Sequence, residues 1–226
     1  IANTTNGGKQ WQKLVSPSNS DLKGVPFISE QLGWIHTLTS VYRTSNGGMD
    51  WSLCQISNYS NILETFFWDL NNGWAITSDG TIFQTIDGGL NWSSQYSSAS
   101  GSLVDIHFVS NSVGWIISSN GSLLKTVDGG AVWSLQATIS GSGFRNVYFY
   151  DQMNGWVGGI NHLYKTTDGG INWELIKIDG TSPSIKDVVA LDPNQVIVTS
   201  TTGVDYSLNG GLSWLKIESK ISGSGR

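Results

Sequence analysis

Asp87, Asp128 and Asp168 place carboxylates 41 and 40 residues apart, each within the pattern Thr-x-Asp-Gly-Gly-x-x-Trp. Asn6, Asn46 and Asn209 fill the same position in three further copies, the last of which opens with Ser207 in place of Thr. Periodic Asp residues would act as acids or metal ligands if the fold gathered them at one point. In this pattern they read as turn formers. Asp or Asn accepts backbone N–H groups two residues on, and the paired glycines allow positive φ. The closing residues Trp11, Trp51, Trp92, Trp133, Trp173 and Trp214 are spaced 40, 41, 41, 40 and 41 apart, and each is assigned to cover its hairpin with a large apolar plate.

Other residues carry chemistry outside that pattern. Asp105 and Asp187 share one repeat position, where Thr65 and Asn146 stand in other copies. Two carboxylates roughly 6.5–9.5 Å apart across a groove would suit inverting glycoside hydrolysis. Here they read as caps on strand starts near a central channel. Arg145 and Lys186 share a neighbouring position with Glu64 and Val104. With Arg226 terminal and Arg43 in a strand-edge slot held elsewhere by Gln84, Lys125 and Lys165, no arginine triad forms to clamp a carboxylate. His36, His107 and His162 fall at different repeat positions, so no metal site is assigned. Cys54, the only cysteine, excludes an internal disulfide and reads as an inert, half-buried thiol. No catalytic residue and no cofactor is assigned. The candidate binding face comprises Asp105, Arg145, Lys186 and Asp187, with Tyr59 and Tyr96 from the Ser-, Asn- and Gly-rich connections between copies.

These residues need elements to hold them, and the rest of the chain supplies one type. A second series, Gly33-Trp34, Gly73-Trp74, Gly114-Trp115 and Gly155-Trp156, runs in phase with the first, and Val196-Ile197 takes its place in the last copy. Hydrophobicity alternates at period two with no helical stretch. In the type unit the strands are Leu103–Val109, Gly114–Ser118, Leu123–Thr126 and Trp133 to Ala137. Equivalents of the first are Val25–Ile28, Thr65–Trp68, Val147–Tyr150 and Val188–Leu191. Four short antiparallel strands per roughly 40 residues predict an all-β fold, the β-propeller of four-stranded blades.

Composition agrees with that architecture and narrows the partners. The two Trp series supply 10 of the 11 Trp, and the Gly-Gly and Gly-Trp pairs supply 16 of the 28 Gly. A net charge of -5 argues against nucleic acid. No apolar run has the length of a membrane span.

The Asp-box element resembles the BNR repeat of sialidases, xyloglucanases and sortilin-like receptors. Val147-Tyr148-Phe149, then Asp151-Gln152-Met153-Asn154-Gly155-Trp156, then Lys165-Thr166-Thr167-Asp168-Gly169-Gly170, looks most like the photosystem II stability/assembly factor family. That resemblance covers nearly the whole chain. It implies a propeller, a membrane-protein partner met through a basic patch on one face, and export to the cell envelope or exterior, such as periplasm, cell surface or thylakoid lumen.

The expected organisation is one domain over 1–226. An outer half blade spans 1–15, and blades span 22–56, 63–97, 103–138, 144–178 and 185–219. The register predicts that the missing inner strands come from the rest of a longer chain of six to eight blades, or from another chain. The expected function is a non-catalytic scaffold for a protein partner. The alternative is a glycan-directed protein, a lectin or part of a glycosidase.

Overall fold

The computed structural model describes residues 1–56, 61–97, 101–179 and 181–217. Among the described residues the regular elements are all β-strands, and no helix is long and apolar enough to cross a membrane. The chain divides into two compact units, residues 1–114 with 126–134, and residues 115–125 with 135–226.

The first unit holds three antiparallel sheets in chain order. Ala2–Asn3 pairs with Gln12–Lys13; Gly33–His36, Val41–Thr44 and Ser52–Cys54 form the second; Ile62–Phe67, Gly73–Thr77, Thr81–Thr85 and Ser93–Ser97 form the third. The strand Leu103–Phe108 also lies in this unit. The second unit holds two four-stranded sheets. One is Phe144–Phe149, Gly155–Gly159, His162–Thr166 and Glu174–Ile176; the other is Ile185–Ala190, Val196–Ser200, Gly203–Ser207 and Leu215–Ile217. Each four-stranded sheet has the strand order of a blade.

Two details depart from the sequence reading. The first strands begin earlier, at Ile62, Phe144 and Ile185, because a β-bulge follows each of these buried residues. A bulge adds one residue and flips the parity, so the alternation breaks where the strand in fact continues. In the second sheet, Val25–Ile28 contributes only a bridge from Phe27 to Gly33. Pro26 has no N–H to donate, although its carbonyl accepts Trp34 N–H at 2.9 Å.

The Gly-Trp dipeptides are explained by an aromatic sandwich. Phe67, Phe108 and Phe149 end first strands, each opposite the Gly of its own sheet's second strand or six residues before it. A Cβ on Gly114 would stand 2.6 Å from the Phe108 ring, and one on Gly155 would stand 2.5 Å from Phe149. The other ring face is covered by the preceding copy's Trp: Trp34 on Phe67 at 3.7 Å, Trp74 on Phe108 at 3.9 Å, and Trp115 on Phe149 at 3.7 Å. The Asp-box Trp meets the ring edge-on, as Trp92, Trp133 and Trp173 do. The perpendicular contacts have a favoured aromatic geometry.

In the last sheet the set changes together. Ala190 stands opposite Val196, and Trp156 packs in one core cluster with both. Bulk lost on one strand is restored on its neighbour.

Candidate functional site

The Asp-box turn is built from the hydroxyl and carboxylate together. Thr166 Oγ1 accepts Gly170 N–H at 3.0 Å and donates to Asp168 Oδ1 at 2.8 Å. That oxygen also accepts Asn172 N–H at 2.9 Å, and Asn172 Nδ2 donates to Oδ2 at 2.7 Å. The same bonds recur at Thr85, Asp87 and Asn91. The acceptor therefore spans four residues, where a two-residue Asx turn was expected. The two glycines bend the chain back far enough, with φ of 73° and 93° at Gly88 and Gly89.

Asn copies use the opposite polarity. Asn46 Nδ2 donates to Asp50 Oδ2 at 3.0 Å, and Asn209 Nδ2 donates to Ser213 Oγ at 2.8 Å. Asn6 Oδ1 accepts Gln10 N–H, and Asp128 Oδ1 accepts Val132 N–H. Among the box tryptophans, Trp51, Trp92, Trp173 and Trp214 donate to the carbonyls of Gly48, Gly89, Gly170 and Gly211. Trp133 is buried, and Trp11 is 64% exposed beside its two-stranded sheet.

These bonds leave the box acids in their charged form. Donation from Asn172, backbone first and side chain second, holds Asp168 down at about 2 against an ordinary 3.8. A carboxylate with a depressed folded-state pKa stabilises the fold above its unfolded pKa, and loses that contribution as pH falls from about 4 to about 2. Asp168→Asn keeps the geometry of the Asn copies and removes the titration. Its stability is expected to fall less than the parent's between pH 4 and pH 2 in urea unfolding, and an equal fall contradicts this account.

The first-strand bulges carry the candidate binding residues. The register places Glu64, Asn146 and Asp187 at one position, directly after the bulge. This corrects two alignments: Glu64, not Thr65, is the equivalent of Asp187, and Leu63, not Glu64, shares the bulge position of Arg145 and Lys186; Thr65 Oγ1 is buried without a partner. Glu64 Oε1, Asp105 Oδ1 and Asp187 Oδ1 each accept the N–H of the next residue, at 2.9, 2.8 and 2.8 Å. The carboxylates thus cap the strand locally.

In the first unit Glu64 lies 3.6 Å from the fully buried His36 Nε2. Gly24 N–H donates to that nitrogen at 3.1 Å, and Nδ1 lies 3.2 Å from Thr37 O.

In the second unit Asn146 Nδ2 donates to Asp187 Oδ1 at 3.3 Å, and Arg145 and Lys186 occupy the two bulges, both exposed. Tyr59 lies outside the described residues. Tyr96 has its backbone opposite Ile82, and its side chain is outside the described set.

Cys54 is buried beneath Gly89, more fully than the half-burial expected of it. Burial, opposed by Arg43, pushes its thiol up to about 11. Such a thiol is not a nucleophile at neutral pH. Among the described residues no group of His, Cys, Asp or Glu is arranged to hold a metal ion.

The sequence reading missed the partners of the Gly-Trp series. A constant Phe-to-Gly spacing of six, replaced in the last copy by Ala190 and Val196 at the same spacing, was the available signal.

Comparison with known proteins gives the fold its name. The chain is similar to the solved YCF48 from Cyanidioschyzon merolae, with a TM-score of 0.78 and 21% identity over 96% of this chain and 77% of that one. It is also similar to a YCF48 bound to a D1 peptide, with a TM-score of 0.51 and 19% identity over 88% of this chain and 81% of that one. An ancestral GH74 enzyme matches with a TM-score of 0.72 and 16% identity, over 92% of this chain and 32% of that one. At these identities the likenesses establish the β-propeller fold. No curated protein sequence matches. The profile of the family described as photosynthesis system II assembly factor YCF48 matches residues 92–225, more than half of the chain, and the chain belongs to that family.

Proposed function

We propose that the chain is a non-catalytic scaffold of the cell envelope or exterior that binds an acidic or carboxylate-ended segment of a protein partner at the first-strand bulges of its second unit. The observation that carries this reading is the pair Arg145 and Lys186. Each is the extra residue of a bulge in neighbouring sheets and is exposed, and the carboxylate of Asp187 beside Lys186 already accepts from Asn146 Nδ2 and Val188 N–H. Bulges re-aim side chains at sheet ends and are common beside functional sites.

A related YCF48 has been solved bound to a D1 peptide, which supports a peptide ligand, and two exposed cations suit an acidic or carboxylate-ended segment. Export fits the low charge, at 13% of residues, and the family. Asp105 and Asp187 serve as strand caps in this reading and take no part in hydrolysis.

The test is a fluorescence-anisotropy titration of a labelled D1 peptide. The double variant R145E/K186E is expected to weaken binding about ten-fold or more, with affinity falling as salt rises. Equal affinity for the parent and the double variant overturns the proposal.

A further inference from the structure

Arg43 in the first unit lacks the carbonyl bond that two of its repeat equivalents make. Gln84 and Lys165 hold the same repeat position, and both donate to an Asp-box carbonyl of the following copy. Gln84 Nε2 reaches Gly129 O at 2.8 Å, and Lys165 Nζ reaches Gly210 O at 2.9 Å. In two other copies the Gly-Trp indole takes the equivalent carbonyl, Trp34 Nε1 that of Gly88 and Trp115 Nε1 that of Gly169. Where Gln84 and Lys165 hold it, Trp74 Nε1 and Trp156 Nε1 are buried without a partner. At Arg43 the outcome is reversed. Trp34 Nε1 donates to Gly88 O at 2.9 Å, and the buried Nε of Arg43 has no partner. Among the described residues no carboxylate lies within ion-pair distance of the guanidinium.

Arg43 lines a pocket of about 150 Å³ shared with Ser45, Asp50, Ser52, Leu53 and Leu90. The two serines add hydroxyl donors. Leu53 and Leu90, each more than half exposed, form an apolar wall. Asp50 is tied to Asn46 and adds one negative charge at the rim. Cys54, a buried lining residue, stays a neutral thiol at neutral pH and does not compete for the cation.

We propose that this pocket binds a carboxylate carried on a small apolar group, with Arg43 as the receptor. Planar guanidinium and carboxylate pair bidentately, and an unneutralised, partly desolvated guanidinium is the group such a ligand relieves. The Asp50 charge disfavours a phosphate dianion and leaves room for a single carboxylate. The ligand is the C-terminus of a peptide or a free organic acid. The site is separate from the bulge surface of the second unit and stands whether or not that surface binds a peptide.

Calorimetric titration with N-acetyl-leucine tests it. Saturable binding in the millimolar range is expected for so small a ligand. Arg43→Gln and, separately, N-acetyl-leucinamide are each expected to weaken binding about ten-fold or more. Gln84 and Lys165 occupy the same slot, so Arg43→Gln preserves the fold, and an unchanged melting temperature verifies this. A peptide ending in leucine that binds about ten-fold tighter than N-acetyl-leucine identifies the protein C-terminus as source, and equal affinity identifies a free acid. Undiminished binding to Arg43→Gln, or no saturation by about 50 mM, overturns the proposal.

Discussion

Phe149→Ala is expected to lower the unfolding free energy by about 3–5 kcal/mol, and adding the separately destabilising Gly155→Val is expected to recover part of that loss. The first effect follows from what Phe149 touches: Trp115 stacked on one face, Gly155 against the other, and Trp173 at its edge. The second follows from space. A side chain on Gly155 collides with the Phe149 ring in the parent, an overpacking worth about 1–3 kcal/mol or more. With Phe149 gone, the same side chain fills the vacancy. The protein already contains the result, since Ala190, Val196 and Trp156 form this arrangement in the last sheet. A double-mutant cycle in urea should give a coupling of about 1–3 kcal/mol in favour of the pair. Additive losses would sink the sandwich account.

Trp115→Ala is the second large effect, about 3–5 kcal/mol, because a fully buried indole leaves a cavity that its stacked partner cannot close. Replacement by Phe separates ring from hydrogen bond. Trp115 Nε1 donates to Gly169 O at 3.2 Å, whereas Trp156 Nε1 is buried without a partner. An unmade buried hydrogen bond costs about 1–3 kcal/mol, so Trp156→Phe removes a liability as it removes packing. Trp115→Phe is therefore expected to cost about 1–2 kcal/mol more than Trp156→Phe in thermal or urea unfolding. Equal costs would show that the indole N–H groups do not differ in energy.

The strand order and the turn positions were legible because a 40- or 41-residue spacing repeats without interruption. The starts of the first strands were not legible. A bulge after Ile62, Phe144 and Ile185 breaks the alternation on which a strand is recognised, and the same break hid the equivalence of Glu64 with Asn146 and Asp187. The weak ladder at Val25–Ile28 was readable in principle from Pro26. Arg43 shows the opposite limit. Its slot reads as a strand edge, and only the contest between Trp34 and its own side chain for Gly88 O shows that its cation is spare. Residues held constant across copies build the fold, and the departures at Arg43, Arg145 and Lys186 mark where the copies differ in chemistry.

Hydrogen–deuterium exchange with and without a saturating D1 peptide tests the central claim most directly. The account predicts slowed exchange at the bulges of residues 144–147 and 185–188, with the Asp-box turns at 85–92 and 166–173 unchanged. Protection confined to those turns, or absent from both bulges while the peptide is bound, would contradict it.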